Sequence, residues 1–500
     1  MKHAYNCLFL LSACLAMLLA SCSPRSPSST PDPLPSATLA DAAPTPASSP
    51  TASAVPVTPT PEPPARAQYT LDATINYFAK KLTVNETVVY PNRAGEALTE
   101  LVLAVEPNLW YGGFVLQSAA VDGRPPANFD IDGQRLTITL SQPLEAGALA
   151  ELTLVYTLIL PRSEVYTDPN DVRPQIYGFT DRQVNLVDWY PFVVPYVPGS
   201  GWLLHNPWFY GEHLVYDAAD FDVTLRFVDP AVIPVIASSG EQIPAVDSFH
   251  YYLQNGRTFA LSMSSQFEVE SKEVGDVTVY SYYFPFYKGS GHGVLETTAS
   301  ALEIFGEEFG SYPHKTLSAV QGDFDDGMEY SGLYFLSRDF YNLYDGTPRN
   351  YLAIIAAHET AHQWWFDTVA NDQALEPWLD ESLATYSEHV FLENAFPDDV
   401  SWWWSFRYFP PAAADGAVDT AIYDAGGYRP YLNAVYLNGA KFHEDIRTRI
   451  GDDDFFAFLQ DLYRRKAGGR LTADEYFEIL AEHTSVNVSD IIADYFQTPP

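Results

Sequence analysis

The sequence has few cysteines, few basic residues and few histidines, and each shortage excludes something. Its 500 residues hold three cysteines, Cys7, Cys14 and Cys22, all within the first twenty-two positions. Removing an N-terminal leader up to Cys22 leaves no pair to form a disulfide, so a stapled mini-protein is excluded. Lys and Arg number 27 against 64 Asp and Glu, a formal net charge of -37. So acidic a surface repels phosphate backbones and anionic membrane faces, which argues against a nucleic-acid partner. Histidine occurs 11 times, so two of them in a fixed pattern carry information. After the first twenty residues no second long apolar run occurs. With 47% hydrophobic and 15% aromatic residues, the chain nonetheless has material for two ordinary domains with packed cores.

The N-terminus, MKHAYNCLFLLSACLAMLLASC, has a Lys2/His3 head and an apolar stretch short for a bilayer span, which reads as an export signal over residues 1–21. Leu19-Ala20-Ser21-Cys22 resembles a bacterial lipobox, which implies cleavage before Cys22 and lipidation of that cysteine. An ordinary signal with an incidental cysteine is the alternative. Residues 22–67 are almost wholly Pro, Ser, Thr and Ala, a disordered stalk with nothing to bury. The expected product is an exported lipoprotein, cell-surface or periplasm-facing, tied to a bacterial membrane through Cys22.

From 68 to 286 the pattern is period-two alternation in short runs such as RLTITLS (Arg135 to Ser141) and DVTLRFV (Asp222 to Val228). Asp132-Gly133 and Asn255-Gly256 supply hairpin signals. An antiparallel, β-sandwich-like domain is predicted. From 287 to 500 the period becomes helical, beginning with VLETTASALEIFGEEFG (Val294 to Gly310). The chain is thus expected to be an α+β multidomain protein, with a β-rich part followed by a mainly helical one.

In that second part, AIIAAHETAHQWWF (Ala353 to Phe366) contains His358-Glu359-Thr360-Ala361-His362. Ile354, Ile355, His358, His362 and Trp365 share one helical face, where two unpartnered imidazoles would be costly. At i, i+4 the rings project side by side and can share a tetrahedral zinc. Glu359, one residue round the helix, is placed for the metal's water. A catalytic zinc takes three protein ligands, and Glu381, in the predicted helix Pro377 to Glu388, follows His362 after eighteen intervening residues. Glu388 falls on the same face, either bonding a ligating histidine or lying solvated. Upstream, QGDFDDGMEYSGLYFLS (Gln321 to Ser337) places Asp323, Asp325, Asp326 and Glu329 within seven residues, a place for a cation. A calcium loop is a competing reading, although Gly327 falls where such a loop needs a ligand.

The HExxH-x18-E spacing resembles that of the gluzincin zinc metallopeptidases, specifically the membrane alanyl aminopeptidase (aminopeptidase N) family. Gly327-Met328-Glu329 is similar to that family's G-x-M-E-N strand, which implies that Glu329 binds the substrate's α-ammonium, with Gly327 and Met328 beside it. Asp326 and Tyr330 depart from the pattern. Tyr436, in AVYLNGAKFHEDIRTRIG (Ala434 to Gly451), resembles the tyrosine that stabilises the oxyanion, with Asn438 in place of lysine. The resemblance implies a thermolysin-like catalytic domain, one zinc per chain held by His358, His362 and Glu381, Glu359 as general base, and peptides with a free N-terminus as substrates. It further implies a short form without the C-terminal helical domain of larger members, hence an open cleft. An endopeptidase, or a non-catalytic surface protein that captures peptides, are the other readings.

Overall fold

The computed structural model describes residues 66–163, 175–324, 327–408 and 415–498. Cys22, the leader, nearly all of the stalk, Asp325 and Asp326 lie outside them. All described residues belong to one compact unit, Glu62–Pro500.

The first half is built on a seven-stranded sheet. From edge to edge its strands are Glu241–Ile243, Phe249–Gly256, Ala219–Phe227, Ala67–Asn76, Lys81–Pro91, Leu149–Ile159 and Phe114–Val121. Alternation works here as the pattern requires: Leu71, Ala73 and Ile75 are buried while their neighbours point outward. One pairing departs from the antiparallel expectation, because Ala67–Asn76 runs parallel to Ala219–Phe227. A parallel pair needs a long crossover. The intervening chain supplies it and passes through two four-stranded sheets on the way.

The Asp132-Gly133 signal does mark a hairpin, with Asp132 paired to Arg135. Asn255-Gly256 does not. The strand ending there pairs with Ala219–Phe227, whereas the next strand, Leu261–Ser264, belongs to another sheet. Asn255 takes the left-handed conformation (φ 60°) and its N–H donates to the Asp220 carboxylate at 3.0 Å. The pair therefore kinks the chain between sheets.

The second half opens with strands. A five-stranded sheet runs Glu268–Val274, Val277–Tyr283, Thr316–Gly322, Leu333–Ser337, Met328–Tyr330. Its first two strands precede residue 287, so the expected boundary at 286/287 cuts through a sheet. The parallel step from Val277–Tyr283 to Thr316–Gly322 is spanned by the helix Lys288–Glu308, which is why helical periodicity starts where it does. The helices Tyr351–Ala361 and Trp378–Ala395 follow, and Tyr351–Ala361 packs against both Lys288–Glu308 and Trp378–Ala395. Among the described residues no helix is long and apolar enough to cross a membrane.

Candidate metal centre and cleft

Asn350 starts the helix Tyr351–Ala361 by accepting the Ala353 N–H on its side-chain oxygen at 3.0 Å. Leu352 to Ala361 are all buried. The helix is thus enclosed on every side, not on one face as its periodicity suggested, because other elements pack around it. His362 caps its end with helical backbone angles, so the i, i+4 spacing survives and the two Nε2 atoms lie 3.1 Å apart.

The other ring nitrogens are committed. His358 Nδ1 lies 3.0 Å from Glu388 Oε1, and His362 Nδ1 lies 3.0 Å from the Trp365 carbonyl. Both partners only accept, so each imidazole spends its N–H there and turns a lone pair inward from Nε2. Glu381 Oε2 lies 3.3 Å from one Nε2 and 3.5 Å from the other, and among the described residues that buried oxygen meets no hydrogen-bond donor. Three such atoms facing one another in a buried site need positive charge among them, from a bound cation or from a proton on an imidazole. Burial alone would lower the His358 imidazole, but Glu381 and Glu388 outweigh it and hold its pKa up at about 9. Burial pushes the Glu381 carboxyl up, but His362 and His358 more than reverse this and hold it well below the usual carboxylate range. Two imidazoles and one carboxylate fit a catalytic zinc; a second group, Glu329, Glu359 and His362, also brings donor atoms within 4.8 Å of one another around the shared histidine.

Glu381 and Glu388 stand one and three turns into the helix Trp378–Ala395, whose N-cap is Pro377. Glu388 is fully buried rather than solvated. Besides His358 it accepts Arg407 Nη2 at 2.9 Å and Trp403 Nε1 at 2.8 Å. Sequence reasoning missed Trp403 and Arg407, for which the local pattern gives no signal.

Glu359 is also buried, and its Oε2 has no partner among the described residues. Burial, then the Glu329 and Glu381 charges, push its carboxyl well above the usual range against the pull of both histidines. Gly327 passes so close that a Cβ there would lie 2.3 Å from Glu359 Oε1, so this position admits only glycine without moving the carboxylate. Glu329 sits on the edge strand Met328–Tyr330, buried, with Oε1 accepting Gln373 Nε2 at 3.1 Å. Gln373 is a third residue the sequence did not single out. The Glu329 carboxyl is raised mainly by burial.

Of the four carboxylates between Gln321 and Ser337 the structure describes two, Asp323 and Glu329. Asp323 is neutralised by Arg182 and by Arg338 (3.1 Å). Asp325 and Asp326 lie outside the described residues; among those described, Asp323 belongs to no group that could hold a metal ion, whereas Glu329 falls in one with Glu359 and His362. Tyr436 lies in a π-helical segment, Leu432–Asn438, a geometry that is rare and concentrated at functional sites. Its ring is parallel to that of His358 (7°), with centroids 6.1 Å apart. Asn438 donates to the Gly416 carbonyl at 2.7 Å, a structural bond.

His358, His362, Glu381, Glu359, Glu329, Gly327, Met328 and Tyr436 all line one cavity of about 380 Å³. Its other wall comes from the β-rich half, through Trp110, Tyr177, Trp208 and Phe209 among others. These aromatics contact the site only because distant segments fold over it.

A mixed-sheet-and-helix unit thus presents the HExxH residues to a cleft walled on one side by the β-rich half. Residues 294–495, about two fifths of the chain, match the family model described as "Peptidase family M1 domain". Aminopeptidase N of Lactobacillus delbrueckii subsp. lactis is 24% identical over 308 residues, 56% of this chain and 36% of the relative. "Probable aminopeptidase 2" of Sulfurisphaera tokodaii is 23% identical over 271 residues, 51% of this chain and 33% of the relative. The chain thus spans about a third of the length of these curated relatives. In fold it is similar to the M1 zinc metallopeptidase from Deinococcus radiodurans, with TM-score 0.62 and 18% identity, covering 87% of this chain and 94% of that one. Native yeast LTA4 hydrolase gives TM-score 0.61 at 15% identity, covering 87% of this chain and 68% of that one.

Proposed function

We propose that the protein is a zinc-dependent aminopeptidase that removes N-terminal residues from peptides. The observation that carries this reading is Glu329, a buried carboxylate on an edge strand that shares one cavity with the metal donors. Zinc held by His358, His362 and Glu381 supplies, when bound, an acidified water and a polarised scissile carbonyl. Glu359 takes the proton of the attacking water and delivers it to the leaving amine. The Tyr436 hydroxyl donates to the developing oxyanion. Glu329 pairs with the substrate's α-ammonium and sets the register of cleavage. Glu388 fixes the tautomer and orientation of His358.

The test compares hydrolysis of a free-N-terminus peptide with that of its N-acetylated twin, with and without chelator. Preference for the free peptide, abolished by the chelator, is expected. Replacing Glu329 with Ala should cost roughly 2–5 kcal/mol of kcat/KM on the free peptide, the loss expected for one partner of a desolvated ion pair, while zinc content stays unchanged. Equal rates on the two peptides would assign the cleft to an endopeptidase instead.

We further propose that the mature chain begins at a lipidated Cys22 and is held on the outer side of a bacterial membrane by the Pro-rich stalk. The lipobox-like Leu19 to Cys22 and the composition of residues 22–67 support this. Cys22→Ala should move the protein from the detergent phase to the aqueous phase in a partition assay. Unchanged partitioning would end this assignment.

A further inference from the structure

Gln363 directly follows the second metal histidine, is fully buried, and uses its carboxamide on a different element. Its Nε2 donates to the Tyr330 carbonyl at 3.0 Å, and its Oε1 accepts the Gly332 N–H at 2.9 Å. Those two bonds bracket the two-residue turn Ser331-Gly332 that closes the strand carrying Glu329 onto Leu333–Ser337, where Tyr330 pairs with Leu333. Gly332 has φ +67°, and a Cβ there would lie 2.3 Å from the Ser239 carbonyl, so this turn cannot relax by substitution.

The same turn is gripped from the β-rich half. Ser331 Oγ accepts the N–H groups of Arg257 (2.7 Å) and Thr258 (3.1 Å), while Ser331 N–H donates to Thr258 Oγ1 at 3.0 Å. The Arg257 side chain then donates to the Asp367 carbonyl at 2.8 Å and the Thr368 carbonyl at 3.0 Å. That loop follows His362 and begins at the Trp365 carbonyl to which His362 Nδ1 is bonded. A closed circuit of hydrogen bonds thus joins the metal helix, the Glu329 strand and the chain after His362.

We infer that Gln363 is a positioning residue that sets the distance between the metal donors and Glu329, and thereby the exopeptidase register. This rests on the aminopeptidase reading above. Both polar atoms of the carboxamide are spent on the turn, so Gln363 acts through Glu329. Precision matters because a misplacement of about 1 Å can cost on the order of 10²-fold in rate, and the ammonium must meet Glu329 while the scissile carbonyl meets the metal.

The experiment measures kcat and KM on a free peptide and its N-acetylated twin for wild type, Gln363→Met, Gln363→Glu and Glu329→Ala, together with zinc content and melting temperature. Gln363→Met keeps the bulk and loses both bonds. It is expected to lower the free-to-acetylated ratio of kcat/KM by roughly tenfold or more, through KM more than kcat, with one zinc per chain retained. Gln363→Glu keeps the acceptor for Gly332 N–H but not the donor to Tyr330, and should fall between wild type and Met. It decides the matter if the Met variant does not fold. A ratio unchanged in folded, zinc-loaded Gln363 variants, while Glu329→Ala collapses it, overturns this inference alone. A wild-type ratio near one overturns the aminopeptidase reading instead.

Discussion

The two ends of the cleft are built in opposite ways. The metal end is local and helical: His358 and His362 are one turn apart, and Glu381 and Glu388 are two turns apart on a helix packed against the first. The substrate end is assembled from afar: Glu329 comes from an edge strand, Tyr436 from a π-helical segment, and the facing aromatics from the β-rich half. A metal tolerates little variation in donor distance, and consecutive helical turns supply that spacing through backbone geometry alone. A peptide needs a long, shaped surface, which no single element can offer. The site therefore divides into a part fixed by secondary structure and a part fixed by packing.

Perturbations should respect that division. The largest effect is expected from stripping the metal end entirely: dialysis against a strong chelator should bring peptide hydrolysis to background, and stoichiometric zinc should restore it. Activity that persists in demonstrably metal-free protein would dissolve the comparison. Next comes Glu359→Gln, which removes the proton acceptor while leaving the three donors in place. Turnover should fall by roughly 10²–10⁴-fold with zinc retained by elemental analysis; loss of the metal in this variant would show that Glu359 belongs to the donor set.

Tyr436→Phe tests the substrate end. It deletes one hydroxyl and keeps the ring parallel to His358, so kcat should drop by roughly 10²–10³-fold with zinc affinity untouched. An unchanged kcat would return Tyr436 to a packing role. The smallest effect is expected from Glu388→Gln, which weakens the hold on His358 Nδ1 and leaves Arg407 without its carboxylate. Zinc affinity should fall by roughly 10–100-fold, measured against a competing chelator, with kcat near wild type once zinc is saturating. If affinity holds, the His358–Glu388 contact orients nothing.

What could be read without coordinates follows the same line. His358, Glu359 and His362 were legible because helical spacing is a local rule, and Glu381 and Glu388 because a second helix repeats that rule seven residues apart. Glu329 and Tyr436 were legible only through resemblance, since a short edge strand and a π-helical turn leave no periodic trace. Where local rules were extended across the fold they misled. Asn255-Gly256 has hairpin chemistry but sits at a switch between sheets, and Asp323 has a cation-binding neighbourhood until Arg182 and Arg338 fold against it.

The amino-acid sequence by itself determined the β-rich and helical halves, the candidate donor set and the proposed base beside it, because alternation, helical period and side-chain type are properties of neighbours along the chain. Only the tertiary structure decided that the metal helix is buried on all sides, that Arg407 and Trp403 hold Glu388, that Gln373 and Gln363 hold Glu329 and its turn, and that aromatics from the first half wall the cleft. Each of these contacts joins residues far apart in sequence. Their meeting depends on how sheets and helices pack, which no local pattern encodes.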